Sequence, residues 1–178
     1  ICVVGQAFPR TANANPQEFF PDWSFGLRED DMIELVEMIR EEEKPDAIVL
    51  LSHNGMDVDI KMAERVPGLN AVFGGHTHDG IPKPVKVKNV EGHECWVTNA
   101  GSNGKFLGVM DFDIVDGKIK GMHYEMLPIF SEALPADKEL QAYIDQMRQT
   151  KYDEKVIESR VKKMHFNKNR LGKTFKEI

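Results

Sequence analysis

Three short apolar runs in the first half of the chain alternate with two segments of helical periodicity. The runs cover residues 1–7, 47–51 and 70–73, and each is rich in the β-branched and apolar residues typical of buried strands. Between the first two, Met32, Leu35, Val36 and Ile39 recur at helical spacing. A second, shorter helix is predicted at about residues 57–66. This alternation predicts an α/β fold with helices packed on a sheet.

Helix boundaries can be predicted from local signals around the first helix. Asp31 followed by Glu34 resembles a capping box, although Asp stands where Ser or Thr is usual. Pro45 marks the end of the helix, because the residue before a proline disfavours helical geometry.

After Pro84 the pattern changes to strands joined by short turns. Strands are predicted at 85–90, 94–98 and 106–124, and the Asp116-Gly117 pair predicts a tight hairpin turn within the last of them. From Asp137 the chain becomes helical again, with a polar, lysine-rich continuation to Arg170. We interpret this last helix as a connector.

Charge and composition narrow the classes of function. The chain has 178 residues, 41% hydrophobic and 29% charged, with a net charge of −6. The negative charge and the absence of a Lys/Arg-rich run argue against a nucleic-acid partner. No stretch approaches the roughly 20 apolar residues that a membrane helix needs. Cys2 and Cys95 lie in apolar runs and are predicted to be buried thiols.

Three histidines follow the predicted buried strands. His53 comes directly after one strand, and His76 and His78 come after the next. In open α/β sheets, ligands bind at the carboxyl ends of the strands. In an extended segment, His76 and His78 would point the same way and could reach one site or two neighbouring sites. Neutral imidazole suits divalent ions such as Mn, Fe and Zn, so we predict a metal site, the alternative being structural histidines.

Four further residues are weaker candidates for the same site. Asn54 and Asp79 flank the histidines and could orient their rings, or could serve only their own turns. Asn99 and Gly101 belong to a polar, glycine-rich loop at residues 99–105. That loop could line the site and offer N–H groups to an oxyanion, or could be a plain hairpin loop.

Other conspicuous residues are assigned no role in the site. The remaining histidines lack ligand spacing; they are His93, His123 and His165. An aromatic cluster near Pro21 is interpreted as packing rather than a substrate platform; its members are Phe19, Phe20, Trp23 and Phe25.

The motifs SHNG (52–55) and GGHTHDG (74–80) resemble the two late metal motifs of calcineurin-like metallophosphoesterases, in the branch that includes 5'-nucleotidases. The resemblance assigns His53 and His76 to one metal and His78 to a second. It places the other ligands, including a bridging Asp, and the catalytic residues upstream of this chain. The implied fold is the C-terminal half of a four-layer αββα domain over residues 1–135. Residues 136–178 would form a connector helix and the start of a further C-terminal domain.

Longer stretches are similar to SoxB-type thiosulfohydrolases of bacterial sulfur oxidation. These stretches are GQAFP, PDWSFG, LLSHNGMDVDIKMA and VTNAGSNGKFLGV, and the similarity runs from about Ile1 to about Asp145. It implies a periplasmic enzyme with two divalent metal ions, manganese by resemblance, although the histidine spacing alone would accept zinc or iron. The implied substrate is a cysteine-bound thiosulfonate on a SoxYZ-like carrier protein, from which sulfate is released. A 5'-nucleotidase or related phosphoesterase is the alternative.

The resemblance also implies that residues 1–178 alone are inactive and bind metal weakly. They lack the family's bridging carboxylate, and two cations at close range repel strongly without such a charge between them.

Overall fold

The fold described here is that of a computed structural model, which describes residues 1–130, 132–133 and 135–151. The chain divides into two compact units, Ile1–Phe130 and Ser131–Ile178. In the second unit, the described residues form one helix, α4, at Lys138–Lys151. The part of the predicted connector that runs on to Arg170 lies outside the described residues.

A five-stranded sheet forms the centre of the first unit, with the strand order β1-β2-β3-β5-β4. Strands β1, β2, β3 and β5 run parallel to one another, and β4 pairs with β5 in the antiparallel direction. The bounds are β1 Cys2–Gln6, β2 Ile48–Ser52, β3 Ala71–Phe73, β4 Val85–Lys88 and β5 Glu94–Thr98. The predicted α/β fold is confirmed.

Two helices pack on one face of this sheet. They are α2 at Glu29–Glu42 and α3 at Met56–Arg65. Val36 of α2 and Met62 of α3 are almost fully buried against strand residues such as Leu50. The predicted capping box is wrong: α2 follows Arg28, which has left-handed backbone geometry, and no side chain caps its first turn. Asp31 instead forms an ion pair with Arg28 at 3.0 Å.

The opposite face of the sheet is only partly covered. Trp96 of β5 packs near Phe112, with ring centroids 6.1 Å apart. At the β1 end of the sheet, however, Val3 is 58% exposed and Leu51 is 51% exposed. The prediction that these two apolar runs form buried strands is therefore wrong at these positions. Apolar composition alone does not distinguish an edge strand from a central one.

A long hairpin completes the first unit. Strands β6 (Phe106–Val115) and β7 (Lys118–Pro128) pair antiparallel. Asp116 and Gly117 connect them, both with positive φ (51° and 68°), as a two-residue I′-like turn requires. The predicted hairpin is confirmed. The loop between β1 and α2 contains a short helix α1 (Thr11–Ala14) and a single 3-10 turn (Gln17–Phe19).

Both cysteines are free thiols. Cys95 is fully buried, and this burial raises the pKa of its thiol to about 12. Cys2 is only half-buried, so the prediction of two buried thiols is confirmed for Cys95 alone. Among the described residues, none of the helices is long and apolar enough to cross a membrane.

Candidate metal centre

The loops after β2 and β3 lie at the same edge of the sheet. His53 directly follows Ser52, the last residue of β2, and its N–H donates to the carbonyl of Gln6 at the end of β1 (3.1 Å). After β3, the N–H of Gly74 donates to the carbonyl of Thr98 at the end of β5 (2.7 Å). Because these strands are parallel, their carboxyl ends present both histidine loops together.

The imidazole rings of His53 and His76 are neighbours. Their centroids lie 5.3 Å apart at an interplanar angle of 68°, and both residues are exposed. The close approach of the two histidine loops depends on the small size of Gly75, because a Cβ at this position would lie 3.1 Å from Nδ1 of His53. Two of the three predicted ligands therefore meet at this edge.

His76 and His78 do not lie on an extended segment. Both have left-handed backbone geometry, with φ of 69° and 57°, and the chain bends between them. The argument that alternate residues of a strand point the same way is therefore wrong here, since it requires extended backbone. His78 is exposed on this bent loop.

The donor set among the described residues is partial. Among the described residues, no group of three or more His, Cys, Asp or Glu side chains is placed so that it could hold a metal ion. Two adjacent, exposed imidazoles nonetheless fit a divalent cation as part of a ligand set. Further ligands would have to come from elsewhere in a complete site. The assignment of His53, His76 and His78 as ligands remains a prediction.

Phe8 is a component of this cluster that the sequence reasoning missed. Its ring stacks on His76, with centroids 4.1 Å apart and an interplanar angle of 25°, and meets His53 edge-on at 6.2 Å. Phe8 follows β1, whose carboxyl end lies at the same edge as those of β2 and β3. Its position just after a predicted strand was the signal in the sequence that could have identified Phe8 as part of the site.

Asn54 is buried among polar groups. Its Nδ2 donates to Oε1 of Gln6 (2.7 Å), and its backbone N–H donates to Oγ of Ser52 (3.1 Å). The bond to Gln6 ties the loop after β2 to the end of β1, and the bond to Ser52 fixes the loop to the end of its own strand. Asn54 therefore supports the backbone that carries His53.

The loop at residues 99–105 packs against the histidine loop. Asn99 is buried, and its Nδ2 donates to the carbonyl of Gly75 at 3.4 Å. The N–H of Gly101 donates to the carbonyl of Asp79 (2.7 Å) and to Oδ1 of Asn99 (3.2 Å). Because this N–H is already used inside the protein, the structural alternative is favoured for Gly101. The Asp79 side chain is exposed.

Asp59 is a second residue that the sequence reasoning missed. It lies on α3, is fully buried, and accepts a hydrogen bond from the hydroxyl of Ser52 on Oδ1. Its other oxygen, Oδ2, has no hydrogen-bond partner within the described part of the chain. Desolvation raises the pKa of this carboxyl above its usual value, against the opposing effects of the Ser52 and Asn54 side chains and of His53. An acidic residue at helical spacing from the buried Met62 and Ala63 was the available signal.

We expect Asp59→Asn to stabilise the metal-free protein at neutral pH. A carboxyl with a raised pKa in the folded state contributes its full stability only below the unfolded-state pKa, and loses it as the pH rises toward the folded value. Asparagine has the same shape without the buried charge. Thermal unfolding of both proteins between pH 4 and pH 8 should show a higher midpoint for the variant at pH 7, with a gap that narrows toward pH 4. A lower midpoint for the variant at pH 7 would contradict this.

The histidines that were assigned no role lie beside carboxylates at the surface or outside the described structure. His93 and His123 are exposed and lie 3.5 Å and 3.1 Å from Glu91 and Glu125, respectively. His165 lies outside the described residues. In the aromatic cluster, the rings of Phe20 and Phe25 pack edge to face at 5.1 Å.

Comparisons with known proteins identify the class to which this arrangement belongs. The UshA protein of Yersinia enterocolitica is 28% identical over 153 residues, which cover 72% of this chain and 28% of that protein. The solved structure of a 5'-nucleotidase precursor from Thermus thermophilus superposes with a TM-score of 0.68 at 28% identity, covering 83% of this chain and 32% of that one. The chain belongs to the metallophosphoesterase/5'-nucleotidase superfamily.

A particular member is also similar in structure. The sulfate thiohydrolase SoxB of Thermus thermophilus superposes with a TM-score of 0.74 at 34% identity, covering 81% of this chain and 26% of that one. The chain thus spans between a quarter and a third of the length of each of these relatives. No protein-family model matches it.

Proposed function

We propose that the complete protein is a metal-dependent thiosulfohydrolase that acts on a cysteine-bound thiosulfonate. One observation carries the proposal: His53 and His76, 5.3 Å apart, occupy adjacent strand-end loops in a chain that is 34% identical to SoxB over 81% of its length. The resemblance of residues 5–26 to the same enzymes, through GQAFP and PDWSFG, supports it further.

In this proposal, three histidines of this chain hold the metal ions. They are His53 and His76 on one ion and His78 on the other, with the remaining ligands supplied from outside residues 1–178. When bound, two such ions would supply Lewis acidity and lower the pKa of water. We propose manganese, for which imidazole and oxygen ligands are suitable. Because its ligand set is partial, residues 1–178 alone should be inactive and bind metal weakly.

The proposed reaction is the hydrolysis of the sulfonate group. Water adds an oxygen to the sulfonate sulfur, the sulfur–sulfur bond breaks, sulfate and protons are released, and a persulfide stays on the carrier cysteine. A persulfide is a good leaving group, so the reaction needs little general-acid assistance. The partner in this proposal is a SoxYZ-like carrier protein, and the location is the periplasm.

A 5'-nucleotidase or related phosphoesterase is the second candidate, and the similarity to the Thermus thermophilus nucleotidase precursor favours it. The same centre would then act at phosphorus. An alkoxide leaving group would need more proton transfer from the protein than a persulfide does.

An assay of the complete protein distinguishes the two functions. Manganese-loaded protein would be incubated with thiosulfonate-loaded carrier and, separately, with AMP, while sulfate and phosphate release are followed. We expect sulfate release to exceed phosphate release by at least about 100-fold in kcat/KM, a difference of about 2.7 kcal/mol in transition-state stabilisation. Preferential phosphate release would overturn the thiosulfohydrolase proposal in favour of the nucleotidase. Release of neither product would overturn both.

A further inference from the structure

Asp59 touches the ends of both strands that carry the histidines. Its Oδ1 accepts the hydroxyl proton of Ser52, the residue immediately before His53. Its Oδ2 lies against Gly74, two residues before His76, so closely that a Cβ on Gly74 would overlap it. One fully buried carboxylate on α3 therefore connects the two loops whose imidazoles meet at the sheet edge.

The hydrogen bonds around Asp59 run in one direction. The backbone N–H of Asn54 donates to Oγ of Ser52, and the Ser52 hydroxyl in turn donates to Asp59. His53 lies between Ser52 and Asn54 in the chain, so its backbone is held on both sides. Asn54 also reaches Gln6 through its side chain, which extends the connection to β1.

Contact with Gly74 constrains the second loop. The N–H of Gly74 donates to Thr98, and the Asp59 carboxylate occupies the space where any larger residue would place its Cβ. Closely packed groups of this kind transmit small displacements, because interiors have few voids to absorb them. A change in size at either position should therefore shift the loop that carries His76.

We propose that Asp59 is a positioning residue that holds the His53 and His76 loops in their mutual arrangement through Ser52 and Gly74. The consequence for metal binding rests on the proposed function. The arrangement of the two rings does not rest on the proposed function, so it can be tested in the metal-free protein.

The test uses the complete protein with four variants. Asp59→Ala removes both contacts, whereas Asp59→Asn keeps the size and an acceptor for the Ser52 hydroxyl. Gly74→Ala introduces the overlap, and the double variant Gly74→Ala/Asp59→Ala relieves it. Asn89→Ala is the matched control: Asn89 is also buried and accepts two hydrogen bonds through its side chain, from the N–H groups of Glu91 and His93.

Without metal, the measurements are the imidazole proton resonances of His53 and His76 and the nuclear Overhauser effects between the two rings. The Mn²⁺ affinity is measured by calorimetry. Both are carried out below the unfolding temperature of each variant. We expect Asp59→Ala to lose the ring-to-ring effect and to weaken Mn²⁺ binding about 10- to 100-fold, the range for groups that orient ligands. Asp59→Asn should restore both. The double variant should bind Mn²⁺ more tightly than the sum of the losses in binding free energy of the two single variants predicts.

Two results would overturn the proposal. In one, Asp59→Ala keeps the wild-type imidazole resonances and differs no more than Asn89→Ala does. In the other, Gly74→Ala and Asp59→Ala combine additively. If the wild-type protein binds no Mn²⁺ through its histidines, the proposed metal site fails, and the imidazole measurements alone still decide whether Asp59 positions the two loops.

Discussion

In the complete protein, His76→Ala is expected to lose at least about 100-fold in turnover, together with bound metal. Removal of groups that only orient ligands typically costs about 10- to 100-fold, and loss of a ligand should cost no less. His76 also contacts both Phe8 and His53, so its removal takes away two of the three ring contacts in the cluster. Sulfate release from thiosulfonate-loaded carrier, with metal content determined on the same samples, is the measurement.

His93→Ala is the matched control for the loss of one histidine. The His93 side chain is 73% exposed and lies 3.5 Å from Glu91 on a turn, where substitutions usually change stability by no more than about 0.5 kcal/mol. Turnover and metal content should therefore stay near those of the wild type. If His76→Ala retains its metal and turnover to the same extent, GGHTH is not a ligand motif in this protein.

Leu50→Ala is expected to destabilise the protein by about 3 kcal/mol, within the range for buried leucines. Leu50 is fully buried in β2, between β1 and β3, and belongs to the core that α2 and α3 cover. The deletion leaves a cavity beneath the two helices, and the cost rises with the volume of that cavity. Denaturant unfolding of the metal-free protein measures the change in the free energy of unfolding.

Met38→Ala provides the comparison for this core variant. Met38 lies on α2 and is 46% exposed, so its truncation should change the free energy of unfolding by no more than about 0.5 kcal/mol. Equal losses in the two variants would show that the described packing of the helices on the sheet is incorrect.

The order of strands and helices was predictable from sequence because the hydrophobic spacing and the turn signal agree with the final packing. The helical spacing of Met32, Val36 and Ile39 coincides with the buried face of α2, and Asp116-Gly117 forms the turn it predicts. The strand-end position of His53 and His76 was predictable for the same reason: parallel strands end at one edge of the sheet.

Features that depend on contacts across the fold were not accessible. The left-handed geometry of His76 and His78 reflects the packing of their loop against residues 99–101, which no local pattern encodes. Ser52, Asp59 and Gly74 come together only once α3 has packed under the strand ends. The exposure of Val3 is likewise a property of its position in the sheet, since its own strand is as apolar as a buried one.

The exposed side chains of Val3 and Leu51 affect how residues 1–178 should behave in solution. Among the described residues, β1 is an edge strand. Val3 of β1 and Leu51 of the neighbouring β2 lie on the face of the sheet opposite α2 and α3. An unpaired, apolar edge strand is a template on which another chain can add a strand. Expressed alone, this stretch should therefore self-associate as its concentration rises and should stay dispersed better at low protein concentration. Its solubility would then depend on the surroundings of a single strand more than on its net charge of −6.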